Sequence, residues 1–249
     1  MNEMIELLLK HKSVRTFEPA EIPEEDVHTI LQCAVNAATA GNMTLWSCIR
    51  VTDQQLKEEL AEHCDHQPMI AKAPLVLVFY ADYHRWMSAF ETLDLGEPLR
   101  QPGDGDRTLA TMDAIIAGSA AVTAAEAMGY GACYIGDVIE NWEWHREKFG
   151  LPAWVQPVCM AIIGVPNQAA KDRPKPARFK VEDVCFENHY PKDGAEKMLA
   201  MLKERQQKAD DAEFDKWLLA FTRRKWNCDF SEEMCRSASK MAEEWKQGL

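Results

Sequence analysis

Apolar residues along this chain follow two spacings, one helical and one of short dense runs. Between residues 2 and 12, Met4, Ile5, Leu7, Leu8 and Leu9 occur without a breaker and predict a helix. A second helix opens at Pro23-Glu24-Glu25-Asp26, since proline and acidic residues suit a first turn. Val27, Ile30, Leu31, Ala34 and Val35 give it an apolar face. Residues 38–42 form a small-residue loop, Trp46 to Val51 a first strand, and Asp53 to His63 an amphipathic helix. The unbroken run from Ala73 to Asp82 reads as a strand buried on both faces.

Residues 83–107 carry Pro98, Pro102 and three glycines and read as irregular, of a length suited to a cap over a site. Thr108 to Met128 predicts a long Ala-rich helix buried at close approach, ended by Gly129 and Gly131. Its length, Asp113 and Glu126 argue against a membrane span. Residues 133–136 predict a strand, 142–149 a short helix, and 157–165 a strand followed by a turn at Pro166-Asn167. Two charged amphipathic helices, 193–222 and 231–247, close the chain, joined by residues 223–227. Helices and strands interleave, with helices taking most residues, so the class is α+β or α/β.

Composition narrows the function. A net charge of −12 and a pI near 5.1 argue against nucleic acid as a main partner, because phosphate backbones need a basic surface. Acidic residues ahead of the first apolar stretch are the wrong flank for a secretory signal, which points to the cytoplasm. The eight cysteines form no CxxC pair and read as small hydrophobes in a reducing compartment. His63-Cys64-Asp65-His66 holds metal-ligand types but lacks a second ligand pair, and Cys228/Cys235 is no better, so no metal is expected.

Against this acidic background, His11, Lys12, Ser13 and Arg15 stand out. An imidazole, an ammonium, a hydroxyl and a guanidinium within five residues suit a clamp on a phosphate monoester. The alternative is a basic helix end complementing the helix dipole. Arg173-Pro174-Lys175-Pro176-Ala177-Arg178 is a second basic cluster, stiffened by prolines, or else a solvated loop. Gly129 to Asp137 is glycine-rich, but it follows a helix and lacks the GxGxxG spacing of a dinucleotide fingerprint.

HKSVRTF, ATAGNM before WSCIRVTD, GYGACYIGD after an Ala-rich helix, and GVPN followed by RPKPARFKVEDV stand in one order along nearly the whole chain. Together they resemble the FMN-dependent nitroreductase/flavin reductase family, in particular its NADPH-preferring group with a C-terminal extension. The resemblance implies an α+β fold: a three-layer sandwich with a central, mainly antiparallel sheet flanked by helices, in a domain-swapped homodimer. Residues 1–190 would form the FMN-binding domain, and 191–249 a helical extension packing on the partner subunit. The dimer would have FMN at its interface and no stable folded monomer.

The resemblance places His11, Lys12, Ser13 and Arg15 at the FMN phosphate and ribityl chain, with Lys12 where the family has arginine. Lys175 and Arg178 match the later basic pair at the phosphate, with Arg173/Lys175 the competing alignment. Thr39, Gly41 and Asn42 would contact the isoalloxazine ring, and Gln67 would reach its polar edge. Tyr134, Ile135 and Gly136 would lie along the ring, their backbone donating towards N5. Asp137 stands where the family often has a second glycine, either altering the flavin potential or pointing away. Arg223, Arg224 and Lys225 match basic residues that hold NADPH phosphates, a basic helix end being the equal alternative.

The implied activity is FMN-dependent, ping-pong hydride transfer from NADPH or NADH to small flat oxidised acceptors: nitroaromatics, quinones or flavins. It needs no protein nucleophile. Two alternatives are a specialised flavoenzyme, dehalogenase-like or ring-forming, and a protein that stores or senses FMN without turnover.

Overall fold

The computed structural model describes residues 2–192 and 194–249. The chain forms two compact units: residues 1–173 together with 232–249, and residues 174–231. In the first unit the elements run α1 (Glu3–Lys10), α2 (Glu24–Val35), β1 (Trp46–Arg50), α3 (Gln54–His63), α4 (Pro68–Lys72), β2 (Leu75–Asp82) and α5 (His84–Phe90). They continue with α6 (Asp104–Ala127), β3 (Gly131–Ile135), α7 (Trp142–Phe149), β4 (Val155–Gly164) and α8 (Gln168–Asp172). The second unit holds α9 (Val181–Val184), α10 (Ala195–Gln206) and α11 (Asp211–Lys225). The last helix, α12 (Asp229–Gln247), starts there and continues into the first unit.

Among the described residues the strands form a four-stranded antiparallel sheet in the order β1-β2-β4-β3. β2 and β4 are central and every residue in them is buried, the reason Leu75–Asp82 lacks polar alternation. Leu75, Leu77, Phe79 and Ala81 face a core shared with α2 and α6, whereas Val76, Val78 and Tyr80 face one shared with α3, α4, α7 and α12. This makes three layers in an α+β arrangement, with the expected mainly antiparallel sheet at the centre.

α6 is the helix laid against the sheet: Ala110, Ala114, Ala117 and Ala121 are fully buried, and their short side chains permit the close approach. At 24 residues it is long and apolar enough to cross a membrane by length and composition, so the expected objection from its length fails. Its packed alanine face is what identifies it as a core helix.

Three expectations are corrected. Residues 83–107 are not irregular throughout, because α5 occupies 84–90 and α6 begins at Asp104, before Thr108. The helix expected over 193–222 is two helices, α10 and α11, and its first residue lies outside the described residues. Gln207 takes a left-handed conformation (φ 48°) after α10, and the Asp210 carboxylate accepts from Glu213 N and starts α11 anew. Arg223, Arg224 and Lys225 consequently lie in the last turn of α11, not in a connecting segment.

Within the second unit, the Arg205 guanidinium lies 4.2 Å from the centre of the Phe179 ring, and Lys180 pairs with Glu204. Phe214 is buried.

His145 on α7 is fully buried, stacked on Phe149 and edge-on to Trp144, and neither ring nitrogen has a hydrogen-bond partner. Burial holds its pKa down to about 3, from 6.5 for a free imidazole. The unfolded chain binds this proton near pH 6.5 and the folded chain only near 3, so the group's contribution to stability is complete above 6.5 and lost as pH falls through that window. His145→Leu is expected to gain on the wild type in urea midpoint as pH is lowered from 7 to 4. Parallel pH profiles would show that His145 does not titrate on unfolding.

Candidate functional site

The segment 11–17 is built onto the outer edge of β3. Val14 N donates to Ala132 O at 2.8 Å, and Glu18 N donates to Val165 O at 2.8 Å. Two glycines opposite one another in the sheet, Gly131 and Gly164, make room for it. A Cβ on Gly131 would lie 2.7 Å from Val14 Cγ2, and one on Gly164 would lie 2.8 Å from the Phe17 ring and from Pro74. No larger residue fits either position without moving the segment.

This seating brings the basic residues together. Ser13 hydrogen-bonds the Cys133 thiol on β3, and the charges of Arg15 and Arg173 act on the same sulfur. Burial and the Asp137 carboxylate push that thiol up, while Arg15, Ser13 and Arg173 act against the shift. Lys12 Nζ donates to the backbone carbonyls of Lys171 (2.8 Å) and Arg173 (2.6 Å), tying the carboxyl end of α8 to the segment. His11 Nδ1 is 2.7 Å from Glu126 on α6. Of the expected second basic cluster, Arg173 therefore joins the first. Lys175 and Arg178 belong to the second unit, where Arg178 lines a small pocket with Lys180 and Arg205. Arg223 and Arg224 are also in that unit, with Arg224 over the Phe221 ring.

β3 is an edge strand. In an antiparallel ladder, alternate residues direct their N–H and C=O to opposite sides. Because Ala132 O points outward to Val14, the backbone groups of Tyr134 also point outward, and Gly136 continues the chain past the strand end. Segment 11–17 covers the first part of this edge; further on, Tyr134 O accepts from Cys133 Sγ at 3.3 Å and Gly136 O accepts from Ile139 N at 3.1 Å.

The loop expected to contact a flat ligand, containing Thr39, Gly41 and Asn42, is held by a residue that the sequence reading passed over. Asp113, buried on α6, accepts hydrogen bonds from the Thr39 hydroxyl, Ala40 N (3.0 Å) and Leu45 N (3.0 Å). Thr44 N donates to Thr39 Oγ1 at 2.7 Å. Gly41, Asn42 and Thr44 all take positive φ (56°, 58° and 53°), a costly conformation for a β-branched threonine, which the surrounding bonds hold in place. From α5, Trp86 Nε1 donates to Met43 O (2.6 Å) and Arg85 donates to the carbonyls of Thr44 and Trp46. A signal for Asp113 was available: it interrupts Ala110, Ala114, Ala117 and Ala121 on the apolar face of α6.

Gln67 precedes α4, and its side-chain amide donates to Cys64 O and to Asp137 Oδ2, both at 2.9 Å. Asp137 follows Gly136 directly, so Gln67 sits next to the end of β3. Behind Asp137 lies Glu140, 4% exposed. Burial, followed by the carboxylates of Asp137, Asp65 and Glu233, pushes Glu140 up to about 8.

Residues 8–165 match the model of the nitroreductase family, and the chain belongs to that family. It is 32% identical over 207 residues to an oxygen-insensitive NADPH nitroreductase of Salmonella typhimurium, a match covering 82% of this chain and 81% of the relative. It is 30% identical over 192 residues to an FMN reductase (NADPH) of Bacillus subtilis, covering 76% and 75%. Among solved structures, NfrA2 of B. megaterium superposes with a TM-score of 0.80 at 29% identity, covering 100% of this chain and 98% of that one.

Asp113→Ala is expected to destabilise the protein by about 3 kcal/mol, since one buried backbone donor (Leu45 N) and one half-buried one (Ala40 N) would lose their acceptor at ~1–3 kcal/mol each. Urea unfolding checks this. A change below about 1 kcal/mol would mean that the loop does not depend on the carboxylate.

Proposed function

We propose that this chain is an FMN-dependent NAD(P)H oxidoreductase that reduces small flat acceptors such as nitroaromatics, quinones or flavins. The observation that carries this reading is the convergence of Ser13, Arg15 and Arg173 on one thiol of the edge strand β3 in a member of the nitroreductase family. The donor set fits a flavin mononucleotide: cations and a hydroxyl for a phosphate, the outward backbone N–H of Tyr134, and a loop of small residues for a ring. The names of its relatives add FMN and NADPH.

When bound, FMN supplies hydride exchange between NAD(P)H and an oxidised acceptor in two half-reactions. The protein's residues bind and orient it. Arg15, Ser13 and Arg173 hold the phosphate end, with His11 completing the turn that presents them. Lys12 fixes the Arg173 loop through two carbonyls and keeps one proton for the ligand. Thr39, Gly41, Asn42 and Gln67 bound the ring, and the edge formed by Tyr134, Ile135 and Gly136 offers its backbone. Lys175 and Arg178 serve as further phosphate contacts, and Arg223 and Arg224 meet the phosphates of NADPH.

The protein acts as a homodimer with FMN at the interface. Leu109, Met112, Ile115 and Ile116 on α6 and Met4, Ile5, Leu8 and Leu9 on α1 include a row of exposed apolar side chains. Between these helices and α2 lies an apolar groove of about 620 Å³, lined in part by Met4, Ile116, Ala120 and Met128. A second copy would cover this surface. The helical extension packs on the partner up to the point where α12 joins the first unit of its own chain. Eight unpaired cysteines suit the reducing cytoplasm.

The purified protein is expected to show an oxidised flavin spectrum that bleaches with anaerobic NADPH. A flavin that neither NADPH nor NADH reduces would indicate storage or sensing, and a colourless protein that takes up no FMN would overturn the proposal. Arg15→Ala should weaken FMN binding by about 1.5–3 kcal/mol through loss of a charge-assisted bond. Unchanged affinity would remove Arg15 from the phosphate site.

A further inference from the structure

Gln67 carries one hydrogen-bonding feature that its position alone does not explain. A side-chain amide has two N–H donors and one carbonyl acceptor, and rotating it by half a turn exchanges them. Here both neighbours on one side are acceptors: the carbonyl of Cys64 and the carboxylate of Asp137, each 2.9 Å from Nε2. The reverse orientation would set the amide oxygen against two other oxygens. Both N–H groups are therefore committed, and the remaining capacity of Gln67 lies in its carbonyl oxygen. The backbone allows no compensating shift, because Gln67 N donates to Ala61 O at 2.9 Å and Gln67 O accepts from Ile70 N at 3.0 Å.

We infer that Asp137 is a positioning residue that locks Gln67 as a hydrogen-bond acceptor and so selects a ring ligand with an N–H on its polar edge. The inference rests on the flavin reading above and refines it: the isoalloxazine ring has one such N–H, at N3, between two carbonyls. A glutamine free to turn would serve a carbonyl and an N–H equally. The locked one discriminates, since a ligand without the N–H leaves the Gln67 oxygen facing no donor.

Glu140 completes the lock. It is buried, its Oε1 has no hydrogen-bond partner, and its other bonding is with the Asp137 side chain and backbone. Glu140 N donates to Asp137 O at 3.0 Å, which fixes the turn that carries both acids. With Asp65 and Glu233 also acting on it, Glu140 keeps its proton at neutral pH and shares it with Asp137, while Asp137 Oδ2 remains the acceptor for Gln67. The charged acceptor is the stronger of the two that hold the amide.

The test compares FMN with its N3-methyl derivative, titrated by flavin fluorescence against the full-length, flavin-free protein. The wild type should bind FMN about tenfold more tightly than the methylated flavin, equivalent to about 1.4 kcal/mol. In Asp137→Ala the amide can turn while the bulk of Gln67 is unchanged, and the ratio should fall below about threefold, towards that of Gln67→Ala. Asp137→Asn, which keeps the shape and removes the charge, should give an intermediate ratio and guards against misfolding of the alanine variant. Because the readout is a ratio, a general loss of affinity does not move it. A wild type without preference, or a preference undiminished in both Asp137 variants, overturns the lock while FMN binding stands. A wild type that binds neither flavin overturns the cofactor reading and the lock together.

Discussion

The placement of the polar chemistry follows from one constraint: β2 and β4 are buried on both faces. A strand enclosed by helices above and below, and by strands on either side, has neither space nor water for a ligand. Binding groups are confined to the rim of the sheet. β3 is an edge strand: segment 11–17 lies along its first part, and Gln67 and Asp137 meet just past its end. Gly131 and Gly164 allow the basic segment to lie directly on that edge. The first part of the edge is thereby satisfied by protein backbone.

A rim site must still be rigid, and carboxylates anchored on core elements supply the rigidity. Asp113 reaches from the alanine face of α6 to three donors of the 39–45 loop, and Asp137 reaches from the end of β3 to Gln67. In each case an acid fixed to a core element orients a polar group on a mobile type of backbone. The acids make hydrogen bonds that are strong because they are charged and sheltered. The same shelter makes them costly if their partners are lost. Thr44 keeps its left-handed conformation for this reason: the bonds around it outweigh the local strain.

Much of this architecture was legible in the sequence where local pattern and tertiary role coincide. α7 falls on its expected bounds because Asn141 and Gly150, both left-handed, bracket a short amphipathic run. The core strands were readable from apolar density alone, and the basic segment from its contrast with an acidic chain. α5 escaped because seven residues without a side-chain cap carry little periodic signal. Its contribution, donors from Arg85 and Trp86 to loop carbonyls, exists only after folding. The break at Gln207 escaped because polar helix formers run through it. What ends α10 there is one left-handed residue and a new cap at Asp210.

The family resemblance offered two roles for Asp137, altering the flavin potential or pointing away, and in the folded chain its carboxylate instead accepts from Gln67. Glycine there would leave the Gln67 amide with the Cys64 carbonyl as one neutral anchor. The carboxylate adds a second, charged anchor, and with it a direction. One substitution can in this way change what a neighbour offers a ligand without touching the ligand. Residue-by-residue transfer of binding roles cannot register such a change, because Gln67 is the same residue in both settings. Its polarity is a property of the pair, and only the donor and acceptor arrangement in the folded chain reveals it.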